Sequence, residues 1–199
     1  MSLTIVDTGV ANLASVDFAF QRLGCKAVIT DDPETIKTAR RVILPGVGAA
    51  PFAMEKINAK GLTPVLQSLT QPVLGICLGM QLIFETLNEG NKPIKGLGLI
   101  PGEISALDTG ALPTPHMGWN QIEIVRPDPL LEGINTKDHA YFVHSFAAQT
   151  STHTLAKTRY GSEFSAIVKH KNVYGCQFHP ERSSKTGARI LENFLKVEL

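Results

Sequence analysis

Cys77 stands between two glycines in Gly75-Ile76-Cys77-Leu78-Gly79, after an apolar run and before Met80, Leu82, Ile83 and Leu87. This bracket fits a nucleophile elbow, a strained turn from strand to helix that needs residues without side chains beside it and points the nucleophile outward. A helix starting at the thiol adds its N-terminal dipole, which favours thiolate over thiol, and places the Leu78 amide to donate to an oxyanion. A buried structural role is the commoner fate of a free cysteine; Cys25 and Cys176, which lack the bracket, are read that way. In Phe178-His179-Pro180-Glu181 the proline restrains His179 to extended geometry. Glu181, two residues on, is close enough to accept a hydrogen bond from the ring and set its tautomer. Thiol, imidazole and carboxylate together suit attack on an amide or ester carbonyl.

Other polar patterns carry less. Leu44-Pro45-Gly46-Val47-Gly48 contains G-x-G, but it has no third glycine at dinucleotide spacing and no Gly-Lys-Ser/Thr ending, so a phosphate loop fails two checks. Glycines at a strand end also suit close approach of backbone amides to a ligand, with a plain turn as the alternative. Cys176 and His179 are three apart and on a strand would face opposite ways, so no metal site is assigned. His116, His139, His144, His153 and His170 show no ligand spacing to one another and are read mostly as surface or capping residues.

The elements that must position these groups follow from periodicity. Leu3 to Val6 reads as a strand, Val16, Phe20 and Leu23 as a helix stopped by Gly24, and Ala27 to Thr30 as a second strand. Asp31-Asp32-Pro33 caps a short helix, and Arg41 to Leu44 makes a third strand. A helical stretch from Pro51 to about Leu69 precedes the buried strand Pro72 to Ile76. Between Gly90 and Gly118 glycines and prolines point to hairpins, with strands at Glu103 to Leu107 and Gln121 to Val125. Tyr141 to Phe146, Leu155 to Arg159, Ser165 to His170 and Val173 to Phe178 add strands, and Ile190, Leu191, Phe194 and Leu195 stripe a final helix. The pattern implies an α/β fold: a doubly wound, mostly parallel central sheet with flanking helices and additional antiparallel strands.

The chain of 199 residues fits one domain, 1–199, and 43% hydrophobic against 19% charged residues is globular composition. Lysine plus arginine (19) nearly balances aspartate plus glutamate (18), which leaves no field for nucleic acid or an anionic membrane. The amino terminus lacks a signal-peptide pattern, no stretch is long enough to span a bilayer, and three cysteines fit a reducing compartment, so a cytoplasmic location is expected.

Taken in order, Pro45-Gly46-Val47-Gly48, Gly75-Ile76-Cys77-Leu78-Gly79-Met80-Gln81 and Gln177-Phe178-His179-Pro180-Glu181 resemble the class I, or triad-type, glutamine amidotransferases over essentially the whole chain. Pro115-His116-Met117-Gly118-Trp119-Asn120, Tyr141 to Phe146 and His179 to Ser183 look like the glutaminase subunits of imidazole glycerol phosphate synthases, in histidine biosynthesis. Asp7 to Leu13 is similar to their amino-terminal motif, although many members have tyrosine and glycine where this chain has Thr8 and Ala11.

The resemblance implies a Cys77-His179-Glu181 triad, an oxyanion hole from the amides of Gly46, Val47 and Leu78, and glutamine held by Gly48, Gln81, Ser145 and Phe146. It implies no cofactor and no metal. It also implies a separate (β/α)₈-barrel cyclase as partner in a heterodimer, with Asn12, Trp119 and Lys185 at the interface. A glycine-rich strand end can hold two peptide orientations, so partner and acceptor binding could switch activity by selecting one at Gly46-Val47-Gly48. The competing readings are another amidotransferase glutaminase, serving pyridoxal phosphate or anthranilate synthesis, a cysteine hydrolase or peptidase of similar fold, and a non-enzymatic binding subunit. The His116 to Asn120 segment argues against the first, and the intact triad against the last.

Overall fold

Apolar runs without alternation form strands that are buried on both faces, and here they lie side by side. In the computed structural model, which describes residues 2–90 and 92–198, eight strands form one sheet. Their order is Ala27–Thr30, Leu3–Val6, Arg41–Gly46, Val73–Cys77, Val173–Cys176, Ser162–His170, Thr154–Tyr160 and Glu123–Ile124. The first five run parallel and the last three alternate antiparallel. Successive residues of the Arg41–Gly46 strand face opposite cores. Ile43 packs in the cluster of Phe20, Ile190 and Phe194, and Val42 and Leu44 in that of Ile57, Leu66 and Met80. Helices Leu13–Arg22 and Ser184–Lys196 cover the first face, and Ala50–Ala59 and Leu62–Gln67 the second. Two smaller sheets complete the α/β architecture. One joins Phe146–Ala148, Ile100–Ala106, Phe84–Leu87 and Ile94–Lys95; the other pairs His139–His144 with His116–Gln121. Among the described residues no helix is long and apolar enough to cross a membrane.

Four expectations require correction. The helical stretch from Pro51 to Leu69 is two helices, because Gly61 takes a left-handed φ of 66° between them. The helix after Cys77 spans only Leu78–Leu82. Beyond it the Leu82 carbonyl accepts the Leu97 N–H at 2.8 Å and the Ile83 carbonyl accepts the Leu99 N–H at 2.8 Å. These long-range bonds take the groups that would continue the helix, and the chain re-enters as the strand Phe84–Leu87. Leu87 is therefore buried from a strand, and its helical spacing in the sequence is coincidental. The strands expected at Val173 to Phe178 and Tyr141 to Phe146 also end sooner, at Cys176 and His144.

This topology gathers chemistry at one edge. Gly46 ends one parallel strand directly opposite Cys77 at the end of the next, and the strand on the far side, Val173–Cys176, leads to His179. The carboxyl ends of adjacent parallel strands are where open α/β sheets bind ligands.

Candidate active site

The glycine bracket has a steric cause. A Cβ at Gly79 would meet the Leu44 carbonyl oxygen at 1.8 Å, and one at Gly75 the Gly79 carbonyl oxygen at 2.7 Å. Only bare backbone lets the short helix sit against two strands. Cys77 itself takes φ 53° and ψ −112°, a conformation that costs a non-glycine residue about 1–3 kcal/mol and collects at functional turns. As residue N1 of the helix, Leu78 has an amide with no intrahelical acceptor. Because that helix is five residues long, its dipole is a smaller aid to the thiolate than the sequence suggests.

His179 is extended, φ −95° and ψ 98°, and Pro180–Arg182 is a single 3₁₀ turn, as the proline requires. Its backbone is fixed on both sides. The His179 N–H donates to the Tyr141 carbonyl at 3.0 Å, and Ser183 Oγ donates to the His179 carbonyl at 2.7 Å. The His179 ring meets Glu181 through Nδ1 and Oε1 at 2.7 Å, with side chains only 9% and 3% exposed. Cys77 shares a cavity with this ring, and its thiol donates to the Val143 carbonyl at 3.8 Å. Burial works against charge on this imidazole, but hydrogen bonds and charge from Cys77 and Glu181 outweigh it and raise the pKa to about 10. The sequence placed these three groups in two distant segments; the fold brings them together.

Cys77 and His179 open into a cavity of about 330 Å³ that is also lined by Val47, Gly48, Leu78, Gln81, Ser145 and Phe146. That volume is at the small end for ligand pockets. Gln81, 5% exposed, donates from Nε2 to the Phe146 carbonyl at 2.9 Å and to Gln177 Oε1 at 3.2 Å. With its amide hydrogens engaged, Gln81 Oε1 is the group it can offer a ligand. Glu89 lines the same cavity and was not singled out in the sequence. It reaches the pocket only because the chain reverses after Leu82, and no local pattern marks it. Its Oε2 accepts the Ala50 N–H at 2.7 Å, capping the helix Ala50–Ala59.

One amide expected at the oxyanion hole is already engaged: the Val47 N–H donates to the Val10 carbonyl at 2.9 Å. Gly48 beside it has φ 89°, a value that glycine alone adopts without strain. His116 and His144 also differ from their expected surface or capping role: they are 2% and 5% exposed and hydrogen-bonded to each other at 3.0 Å. Their burial comes from Phe142, Tyr160 and Phe164, partly on strands remote in sequence. Cys176 is buried as expected, and burial raises its thiol pKa; Cys25 is half-buried against the core.

Asn12, Trp119 and Lys185 stand apart from the cavity. Asn12 caps the helix Leu13–Arg22 through a 3.2 Å bond from the Ser15 N–H, Lys185 is exposed in the first turn of the last helix, and Trp119 is 54% exposed beside Tyr141.

Comparison with known proteins extends this picture. The family model described as "Glutamine amidotransferase class-I" matches residues 4–197. The imidazole glycerol phosphate synthase subunit HisH of Haemophilus influenzae (strain Rd) is 50% identical, over 98% of this chain and 98% of its own. The subunit of the same name from Idiomarina loihiensis is 48% identical over 100% of both chains. Among solved structures, a chain of PurLQS from Thermotoga maritima superposes with a TM-score of 0.73 at 20% identity, covering 98% of this chain and 97% of that one. At that identity the likeness speaks for the fold alone.

Proposed function

The chain belongs to the class-I glutamine amidotransferases, and we propose that Cys77, His179 and Glu181 release ammonia from glutamine within one glutaminase domain, 1–199. It is the glutaminase subunit of an imidazole glycerol phosphate synthase. The observation that carries this is half identity, from end to end, to relatives of that name.

In the proposed mechanism, Cys77 Sγ attacks the side-chain amide carbon of glutamine and the carbonyl becomes an oxyanion facing the Leu78 amide. His179, held protonated by Cys77 and Glu181, gives its Nε2 proton to the departing nitrogen, and ammonia leaves a glutamyl thioester. His179 then takes a proton from water as the oxygen attacks the thioester carbon; glutamate departs and the thiolate returns. Glu181 keeps the Nδ1–H aimed at itself throughout. Gly48, Ser145 and Phe146 hold the substrate backbone to backbone, Gln81 offers Oε1, and Glu89 supplies a carboxylate for the α-ammonium group.

Two walls of this site differ in readiness. The Gly46 and Leu78 amides are assigned to the oxyanion hole, and Val47 joins them after its peptide turns away from Val10. Glycine at 46 permits that rotation. Partner and acceptor binding select the turned state, so the free chain is nearly idle.

The relatives' name implies a second subunit. We assign it as a separate (β/α)₈-barrel cyclase in a heterodimer, in the cytoplasm, using the ammonia before water can protonate it. Asn12, Trp119 and Lys185 face it. Trp119→Ala should weaken partner affinity about tenfold in a titration followed by fluorescence or calorimetry; unchanged affinity would remove Trp119 from the interface.

The test of the chemistry is covalent labelling with a glutamine-analogue diazoketone. Modification confined to Cys77 and slowed by glutamine is the expected result. Modification of Cys25 or Cys176 instead, or no protection by glutamine, would refute the assignment and favour a hydrolase of other amides or esters.

A further inference from the structure

We infer that Asn120, His116 and His144 form a one-way hydrogen-bond relay that holds the Phe146 wall of the pocket, making His116 and Asn120 positioning residues for the substrate. The inference rests on the reading of that pocket as the glutamine site.

The direction of the relay is fixed from both ends. At one end, Asn120 Oδ1 accepts the Gln121 N–H at 2.8 Å, and Nδ2 donates to the Arg159 carbonyl at 3.0 Å. This sets the amide orientation, and the remaining Nδ2 hydrogen points to His116 Nε2 at 3.2 Å. His116 Nε2 must then accept, which places the ring's hydrogen on Nδ1, 3.0 Å from His144 Nε2. At the other end, a carbonyl oxygen can only accept, so His144 Nδ1, 2.9 Å from the Phe146 carbonyl, must carry hydrogen and leave Nε2 as an acceptor. The two deductions agree on both tautomers.

The surroundings keep both rings neutral. His116 is stacked between Tyr160 at 4.1 Å and Phe142 at 4.9 Å, and His144 meets Phe164 edge-on at 4.8 Å. Burial lowers the His116 pKa to about 4 and the His144 pKa to about 3, despite the opposing effect of the Phe146 carbonyl on His144.

The relay ends at the pocket. The Phe146 carbonyl receives His144 Nδ1–H and also Gln81 Nε2–H at 2.9 Å, while the Ser145 carbonyl is held by the Leu107 N–H at 2.9 Å. Both peptides of the Ser145-Phe146 wall are thereby pinned, as a site that grips its substrate through backbone groups requires. Asn120 and His116 touch no substrate and act through His144. The relay gives the Pro115 to Asn120 segment a function that its exposed Met117 and Trp119 do not exhaust.

The test uses ¹⁵N spectra of the histidine rings in the full chain, and glutamine kinetics of the assembled synthase. At neutral pH both rings should show hydrogen on Nδ1 and a bare Nε2; hydrogen on either Nε2 would overturn the relay. His116→Gln keeps an acceptor near the Nε2 position for Asn120 and loses the donor at Nδ1, whereas His116→Asn keeps a donor near Nδ1. His116→Gln should raise KM for glutamine about tenfold with a smaller change in kcat, and His116→Asn should stay within about threefold of the native value. Equal damage from both would reduce His116 to packing and overturn the proposal. Iodoacetamide reacts with Cys77 without using this wall, so its unchanged rate in the variants shows the nucleophile intact. The underlying reading fails separately, if glutamine does not protect Cys77 of the native chain from the glutamine analogue.

Discussion

On one wall of the cavity the His179 ring sits 2.7 Å from Glu181, beside Cys77; on another the Val47 nitrogen sits 2.9 Å from the Val10 carbonyl. The first wall is assembled and the second is latched away from the chemistry. The difference follows from what holds each. Glu181 is two residues from His179 along a chain stiffened by Pro180, and both side chains are buried. Val47 is held by one backbone hydrogen bond, worth about 0.5–1.5 kcal/mol net, on a strand end flanked by Gly46 and Gly48. A coupling free energy of about 1–3 kcal/mol, typical of binding at a second site, is enough to move it. In the proposed function the strained and buried parts are ready in advance, and the part held by a single backbone bond is the one that switches.

The largest expected effect breaks the assembled wall. Glu181→Gln should lower glutaminase kcat by about 10³-fold, since the ring loses its orienting acceptor. It also removes one of the groups that raise the His179 pKa, so the alkaline limb of the rate profile should move to lower pH; a limb that stays in place would show that Glu181 does not set this titration. The same pair contributes stability with a definite sign. A pKa raised to about 10 means the folded chain holds a proton that the unfolded chain loses near the usual histidine value, so this contribution is full at low pH and fades as pH rises towards 10.

A smaller effect is expected on the latched wall. Val47→Pro has no N–H to offer, so the activity stimulated by partner and acceptor should fall about 10²-fold in steady-state assays of the complex; full stimulation would show that Val47 is no oxyanion donor. The smallest effect acts on the latch itself. Lys60 Nζ donates to the Asp7 carbonyl at 2.8 Å and pairs with Asp31 at 2.9 Å, which anchors the loop carrying Val10. Lys60→Met should loosen that loop and raise glutamate release by the free chain about two- to fivefold, the scale of a partly exposed ion pair. A decrease would mean that the loop supports activity instead of restraining it.

The same division explains what could be read from the residues alone. The elbow and the His179-Pro180-Glu181 run are legible because their geometry is local: glycines, a proline and two-residue spacing dictate it. The central parallel strands are legible because burial on both faces removes alternation. Val47's engagement is not, because its acceptor lies on a loop near residue 10 that becomes a neighbour only in the folded sheet. Glu89 and the His116–His144 pair are hidden for the same reason, being made into site or core by a chain reversal and by aromatic residues from other strands. The length of the helix after Cys77 misled because Leu87 matched a helical period while long-range backbone bonds ended the helix at Leu82.

The most direct test of the proposed ready triad and latched oxyanion wall is glutamate release from glutamine by the purified chain, alone and then with the proposed cyclase subunit and its acceptor substrate. The account predicts near silence alone and stimulation of about 10²-fold or more in the full assembly, with Cys77 reacting with iodoacetamide at similar rates in both. Equal turnover in the two conditions would contradict it, because the Val10 latch would then have no bearing on catalysis.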